Sequence, residues 1–156
     1  MKPTSLIFIL AFAISSCVEV NSSEESYSSA PPIYISPEEY SDMNLPFSQA
    51  VIVGDILYVS GHVGEINQKL VEGGIGPETR QAMENIKKVI EANGSSMDDV
   101  IKCTCMLADI SEWGAMNEVY KTYFPNNKPA RSALGASGLA LNARVEIECM
   151  AYVSKK

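Results

Sequence analysis

The stretch that decides the fold is ARVEIECMAYV, residues 143–153. Read as a strand, it places Val145, Ile147, Cys149, Ala151 and Val153 on one face and Glu146, Glu148, Met150 and Tyr152 on the other. The first face needs a core to bury it. The second mixes two carboxylates with large apolar groups, a poor composition for free surface. It points to a subunit interface with sites inside it.

Working outward, residues 50–53 and 56–60 are two β-rich runs split by Gly54-Asp55, a tight hairpin with Gly first. HVGEINQKLVEGGIG, residues 62–76, is Gly-rich and reads as a loop with at most one short strand. PETRQAMENIKKVIEANG, residues 77–94, is a strong helix. Pro77 and Glu78 suit its first turn and Gly94 suits the position just past its end. Ala82, Met83, Ile86, Val89 and Ile90 form its apolar stripe. Residues 100–108 form a strand, and a second helix starts near Ser111, expected as its N-cap. Its inward side carries Trp113, Met116, Val119, Tyr120 and Tyr123 or Phe124. FPNNKP ends that helix, and ARSALGASG, residues 130–138, is a short strand before the last one. The order ββ(β)αβαββ predicts an α+β domain with two helices on one face of a mixed sheet.

The chain has 156 residues, 46% hydrophobic and 20% charged, with a formal net charge of −7. One domain with an ordinary core fits this length. The acidic balance, without any basic run, argues against nucleic acid as a partner. At the N-terminus Lys2 precedes the apolar run LIFILAFAI, residues 6–14, too short to span a membrane. ISSC then resembles a lipobox in which Cys17 becomes the lipidated N-terminus. The expected organisation is residues 1–16 as a signal peptide, 17–32 as lipidated Cys and Ser-rich acidic tether, and 33–156 as the folded domain. The protein would then be exported to the periplasmic face of the cell envelope, or secreted, touching membrane only through its lipid.

Three cysteines follow Cys17: Cys103, Cys105 and Cys149. An odd number cannot pair fully within one chain. The C-x-C spacing puts Cys103 and Cys105 on one strand face, where buried free thiols are the expected state. A disulfide from Cys149 to one of them stays open in an oxidising compartment. The only His is His62, so no metal site is expected. His62 reads as a polar loop residue after a strand. Ser60 has no partner pattern for a nucleophile, and no phosphate or dinucleotide fingerprint exists.

The remaining charge of interest is Arg131 in PARS, followed on the next predicted strand by Glu146. Antiparallel pairing of those strands would bring the two together. They then form either an ordinary interface ion pair or a site in which Arg131 clamps a carboxylate in bidentate fashion and Glu146 handles a water. Ser60 and Gly61 would offer backbone donors, and Phe47 and Tyr120 aromatic walls.

LPFSQAV, YVSGHVG, TRQAMENIKKVIEANG, DVIKCTCMLADISEWGAMNEVYKTYF and PARSALGASGLALNARVEIECMAYV together resemble the RidA/YjgF family of reactive-intermediate deaminases, over residues 46–153. The resemblance implies a chorismate-mutase-like fold, packed as a homotrimer around a central barrel, with sites in clefts between subunits. It implies hydrolysis of enamines and imines of the 2-aminoacrylate and 2-iminobutanoate type to 2-keto acids and ammonia, without metal or organic cofactor. Arg131 would hold the substrate carboxylate, Glu146 would place the attacking water, and Ser60, Gly61, Phe47 and Asn117 would line the pocket. Phe47 stands where many relatives have Tyr, and Ala133 where Cys is frequent. The alternative is a non-catalytic trimeric module that binds small carboxylates or a partner protein at the cell envelope.

Overall fold

In the computed structural model, residues 30–36 and 43–153 are described. The expected signal segment, Cys17 and nearly all of the expected tether lie outside them. The elements in chain order are β1 (Ile33–Ile35), β2 (Ala50–Val53), β3 (Ile56–Val63), β4 (Glu65–Ile66), β5 (Lys69–Leu70), α1 (Ile75–Ala92), β6 (Val100–Leu107), α2 (Trp113–Tyr120), β7 (Ala130–Gly135) and β8 (Val145–Tyr152). Among the described residues the main sheet has six strands in the order β1-β2-β3-β8-β6-β7. The domain is α+β, a mixed sheet with two helices.

The alternation in residues 145–152 does what its sequence demands. Val145, Ile147, Cys149 and Ala151 are buried, and the residues between them are not. They pack in one cluster with Met83, Ile86 and Ile90 of α1 and with Cys103, Cys105 and Leu107 of β6. Each fully buried aliphatic side chain contributes about 1.5–3 kcal/mol relative to exposure. The helix stripe predicted from periodicity is all buried, joined by Glu78 and Thr79 one turn earlier. At the C-terminus of α1 Gly94 adopts φ 78°, and the amides of Gly94 and Ser95 reach back to the carbonyls of Glu91 and Ile90. That is the Schellman arrangement for which a left-handed Gly is favoured.

The β2–β3 hairpin closes through Gly54-Asp55, with Gly54 at φ 60°. Beyond it, β3 runs past Ser60 to Val63 through a bulge: Val59 pairs with Cys149 and the next pair is His62 with Ile147. Two residues, Ser60 and Gly61, thus face one residue of β8, which bends the strand there. The Gly-rich stretch holds a complete hairpin, β4–β5, turned by Asn67 and Gln68 at φ 51° and 62°. Two left-handed central residues make this a primed turn, the type that suits twisted hairpins.

Three expectations are corrected. Asp109, not Ser111, caps the second helical segment: its carboxylate accepts the Ser111 amide at 2.9 Å, opening the 3₁₀ turn Ile110–Glu112 that leads into α2. Cys103 is not a free thiol but is disulfide-bonded to Cys149, directly opposite on β8, whereas Cys105 is free and buried. Finally, β7 does not pair with β8. It pairs in parallel with β6, and β8 inserts between β3 and β6. The segment between β6 and β7 contains α2 and is long enough for the crossover that parallel strands require.

Candidate functional site

The strand order splits the predicted constellation into two clusters. Arg131 lies level with Cys103 of β6, on the helix-facing side of the sheet. Its Nη1 donates to Asn117 Oδ1 at 2.5 Å. Its guanidinium carbon lies 4.8 Å from the ring centroid of Tyr120 and 5.7 Å from that of Trp113. Helical spacing puts Trp113, Asn117 and Tyr120 on one side of α2, so a single helix face cradles the cation. One donor of the guanidinium is used by Asn117, and the others of its five N–H groups keep their fork geometry for a carboxylate. Burial raises the Tyr120 phenol well above its ordinary range and pushes the Cys105 thiol up to about 11, each opposed by the Arg131 charge. Both groups stay neutral beside the guanidinium at ordinary pH.

Glu146 lies on the opposite face of the sheet, paired with Val63 of β3 and Met106 of β6. No ion pair joins it to Arg131. The expected contact fails because their strands are separated by β6 and their side chains leave by different faces. Instead the Glu146 carboxylate overlies Gly61: a Cβ at position 61 would collide with Oε1 and stand 3.0 Å from Cδ. Only glycine admits this approach. Burial and the neighbouring Glu148 charge raise the proton affinity of Glu146 above that of an ordinary carboxylate. The bulge that opens β3 at Ser60 and Gly61 is held by Ser60, whose hydroxyl donates to the Ser48 carbonyl at 2.7 Å and whose amide donates to the Gln49 carbonyl.

Gly61 also lines a cavity of about 500 Å³ with Phe47, Gln49, Ser60, His62 and Leu141. Phe47, Ser60 and Gly61 are therefore brought together as anticipated, whereas Tyr120 sits with Arg131 rather than opposite Phe47. His62 is not a loop residue. It is part of β3, its Nε2 is sealed from solvent without a hydrogen-bond partner, and burial lowers its pKa from 6.5 to about 4. The imidazole is neutral at physiological pH. Gln49 and Leu141 were invisible from sequence, since neither belongs to a chemical pattern. Trp113 was expected on the inward side of the second helix; it is instead 45% exposed, with its ring beside the Arg131 guanidinium.

The molecule is thus a small α+β domain that carries a cation cluster beside α2 and a separate cavity beside Gly61. The family model described as Endoribonuclease L-PSP matches residues 41–153. A 2-iminobutanoate/2-iminopropanoate deaminase of Rattus norvegicus is 43% identical over 107 residues, covering 67% of this chain and 78% of its own. Among solved structures, the Rid-family protein YyfA of Yersinia pestis superposes with TM-score 0.72 at 33% identity, over 79% of this chain and all of that one. Escherichia coli TdcF, crystallised with bound serine, does so with TM-score 0.66 at 29% identity, over 70% and 90% of the two chains. The chain belongs to the Endoribonuclease L-PSP family, the RidA/YjgF family whose curated relatives include imine deaminases.

Proposed function

We propose that this protein hydrolyses reactive 2-imino acids and their enamine tautomers to 2-keto acids and ammonia, as a homotrimer whose sites combine Arg131 of one subunit with Gly61 and Glu146 of its neighbour. The observation that carries the reading is the separation of two half-sites in one protomer. A guanidinium with spare donors and a carboxylate poised over a glycine stand on opposite faces of one sheet. The half-apolar second face, with Tyr58 and Tyr152 each more than 40% exposed, supplies the surface on which copies would meet. The deaminase name of the rat relative and the serine in the TdcF structure, an amino acid with a carboxylate, support the same chemistry.

In this reading Arg131 binds the substrate carboxylate through paired N–H···O bonds, and Asn117 with the rings of Tyr120 and Trp113 fixes its orientation. Water adds to the imine carbon. Glu146 accepts a proton from that water as the C–O bond forms and the C=N electrons move to nitrogen. That proton passes to nitrogen to give a carbinolamine; Glu146 then carries the hydroxyl proton to the amine, the C–N bond breaks, ammonia leaves and the carbonyl forms. The sum is one imine and one water giving one 2-keto acid and one ammonia. Imines react readily with water, so positioning and charge placement suffice without a strong nucleophile. No step calls on a metal or an organic cofactor. The net charge of −7 leaves RNA a poor ligand despite the endoribonuclease in the family's name.

The test generates an imine in situ from an L-amino acid with an amino-acid oxidase and follows its decay. Faster decay with the protein, lost in Arg131→Ala, is expected; an unchanged decay rate, or full activity in Arg131→Ala, overturns the reading. Export and lipidation at Cys17 belong to the same proposal. Radiolabelled palmitate should mark the wild type and not Cys17→Ser, and equal labelling would end that part.

A further inference from the structure

In the single protomer the cavity beside Gly61 has a mainly apolar wall. Its volume of about 500 Å³ lies in the range that buries drug-sized ligands, roughly 300–1,000 Å³. Four of its lining residues, Met43, Leu45, Phe47 and Leu141, are apolar yet 37%, 39%, 57% and 52% exposed, so they form a solvent-facing concave wall rather than core. Leu141 is held there at a conformational cost. It adopts φ 58°, ψ 13°, the left-handed region that a leucine seldom visits, and Asn142 follows at φ 61°. Such outliers persist only where the surroundings over-determine them, and they cluster at ligand clamps.

The charge pattern says which end of a substrate the cavity takes. No Lys or Arg lines it. Glu65 is part of its wall, and Glu146 overlies Gly61 at its edge. A carboxylate is repelled from such a place, and an uncharged apolar group is not.

We propose that this cavity is the side-chain compartment of the site, that it selects 2-imino acids with branched or aromatic side chains over the two- and three-carbon ones, and that Leu141 and Phe47 set this selection. The assignment rests on the deaminase reading for its chemistry. The carboxylate goes to Arg131, the imine carbon lies beside the Glu146 carboxylate, and the apolar side chain fills the space walled by Leu141 and Phe47.

Calorimetric titration of the wild-type protein with pyruvate, 4-methyl-2-oxopentanoate and phenylpyruvate tests the compartment without requiring turnover. The two larger acids are expected to bind at least about tenfold tighter than pyruvate, the discrimination that added apolar carbons give in a fitted pocket. Leu141→Gly suits the left-handed backbone, so folding is retained, and it should shrink the preference at least about threefold. Equal or weaker binding of the larger acids, no binding of any of them, or an unchanged preference in Leu141→Gly overturns the proposal. Parallel decay assays with imines made from alanine and leucine separate the two ideas. Selective binding without any hydrolysis sinks the reaction and leaves the compartment. Hydrolysis that favours the alanine-derived imine sinks the compartment and leaves the reaction.

Discussion

Arg131 and Glu146 leave the same sheet by opposite faces, with strand β6 between their own strands. Arg131 turns toward α2, where Asn117 and two aromatic rings hold it, and Glu146 turns over Gly61. In the proposed reading a single protomer offers two incomplete sites, which an assembly joins.

Intersubunit complementation follows directly. Arg131→Ala and Glu146→Gln should each reduce kcat/KM by at least about a hundredfold, the scale for losing a positioned charge at the reacting centre. Unfolding the two variants together and refolding them in equal amounts should restore about one quarter of wild-type activity, because one subunit pairing in four unites both intact halves. Recovery is read in the imine decay assay. No recovery would overturn a site shared between subunits.

Arg131→Lys should behave much like Arg131→Ala. An ammonium carries the charge but not the planar fork, and it cannot reproduce the geometry held by Asn117. Most of the loss should appear in KM for carboxylate-bearing substrates, and steady-state kinetics checks it.

Gly61→Ala should remove activity while sparing most of the fold. The added methyl meets the Glu146 carboxylate, whose side chain is half-buried and free to swing aside. Circular dichroism should match wild type and turnover should fall by at least about tenfold, since small misplacements of a reacting group are costly.

The Cys103–Cys149 disulfide should stabilise the domain by about 4 kcal/mol in the chain-entropy account, given the 46-residue separation it closes. It joins neighbouring strands at the sheet centre, so its loss is felt by β6 and β8 together. Urea unfolding of the wild type with and without a reductant measures the difference, with a Cys103→Ser/Cys149→Ser variant as control. A shift below about 1 kcal/mol would contradict it.

Acid stability should carry the signature of His62. Its pKa falls from 6.5 to about 4 on folding because burial disfavours the imidazolium. Between those values the unfolded chain binds the extra proton. Its contribution is whole above about pH 6.5 and is lost as pH falls toward 4, a change on the order of 2–3 kcal/mol. Unfolding free energies measured from pH 4 to 7 should slope accordingly, and His62→Gln should flatten the curve.

The site was only partly legible in the sequence. Gly61, Ser60 and Phe47 sit around one cavity because they lie near each other along one hairpin and its approach, a short-range relationship. Arg131, Asn117 and Tyr120 meet because β6, α2 and β7 form one crossover, which the sequence marks only as strand, helix and strand. Leu141 and Gln49 carried no signal, since an apolar or amide side chain shows its role only when a cavity forms beside it.

Local chemistry alone determined most of the elements of this protein. The alternation of residues 145–152 fixed which side of the last strand is buried, the stripe from Ala82 to Ile90 fixed the inner face of α1, and Gly54 and Gly94 marked a hairpin and a helix end. Tertiary structure alone decided that β7 joins β6 rather than β8, that Cys149 bonds Cys103 rather than Cys105, and that Arg131 and Glu146 part company. The physical reason is range. Periodicity and backbone preference are properties of a few consecutive residues, whereas strand adjacency minimises the free energy of the whole core, and many neighbours compatible with one pattern differ only in how that core packs.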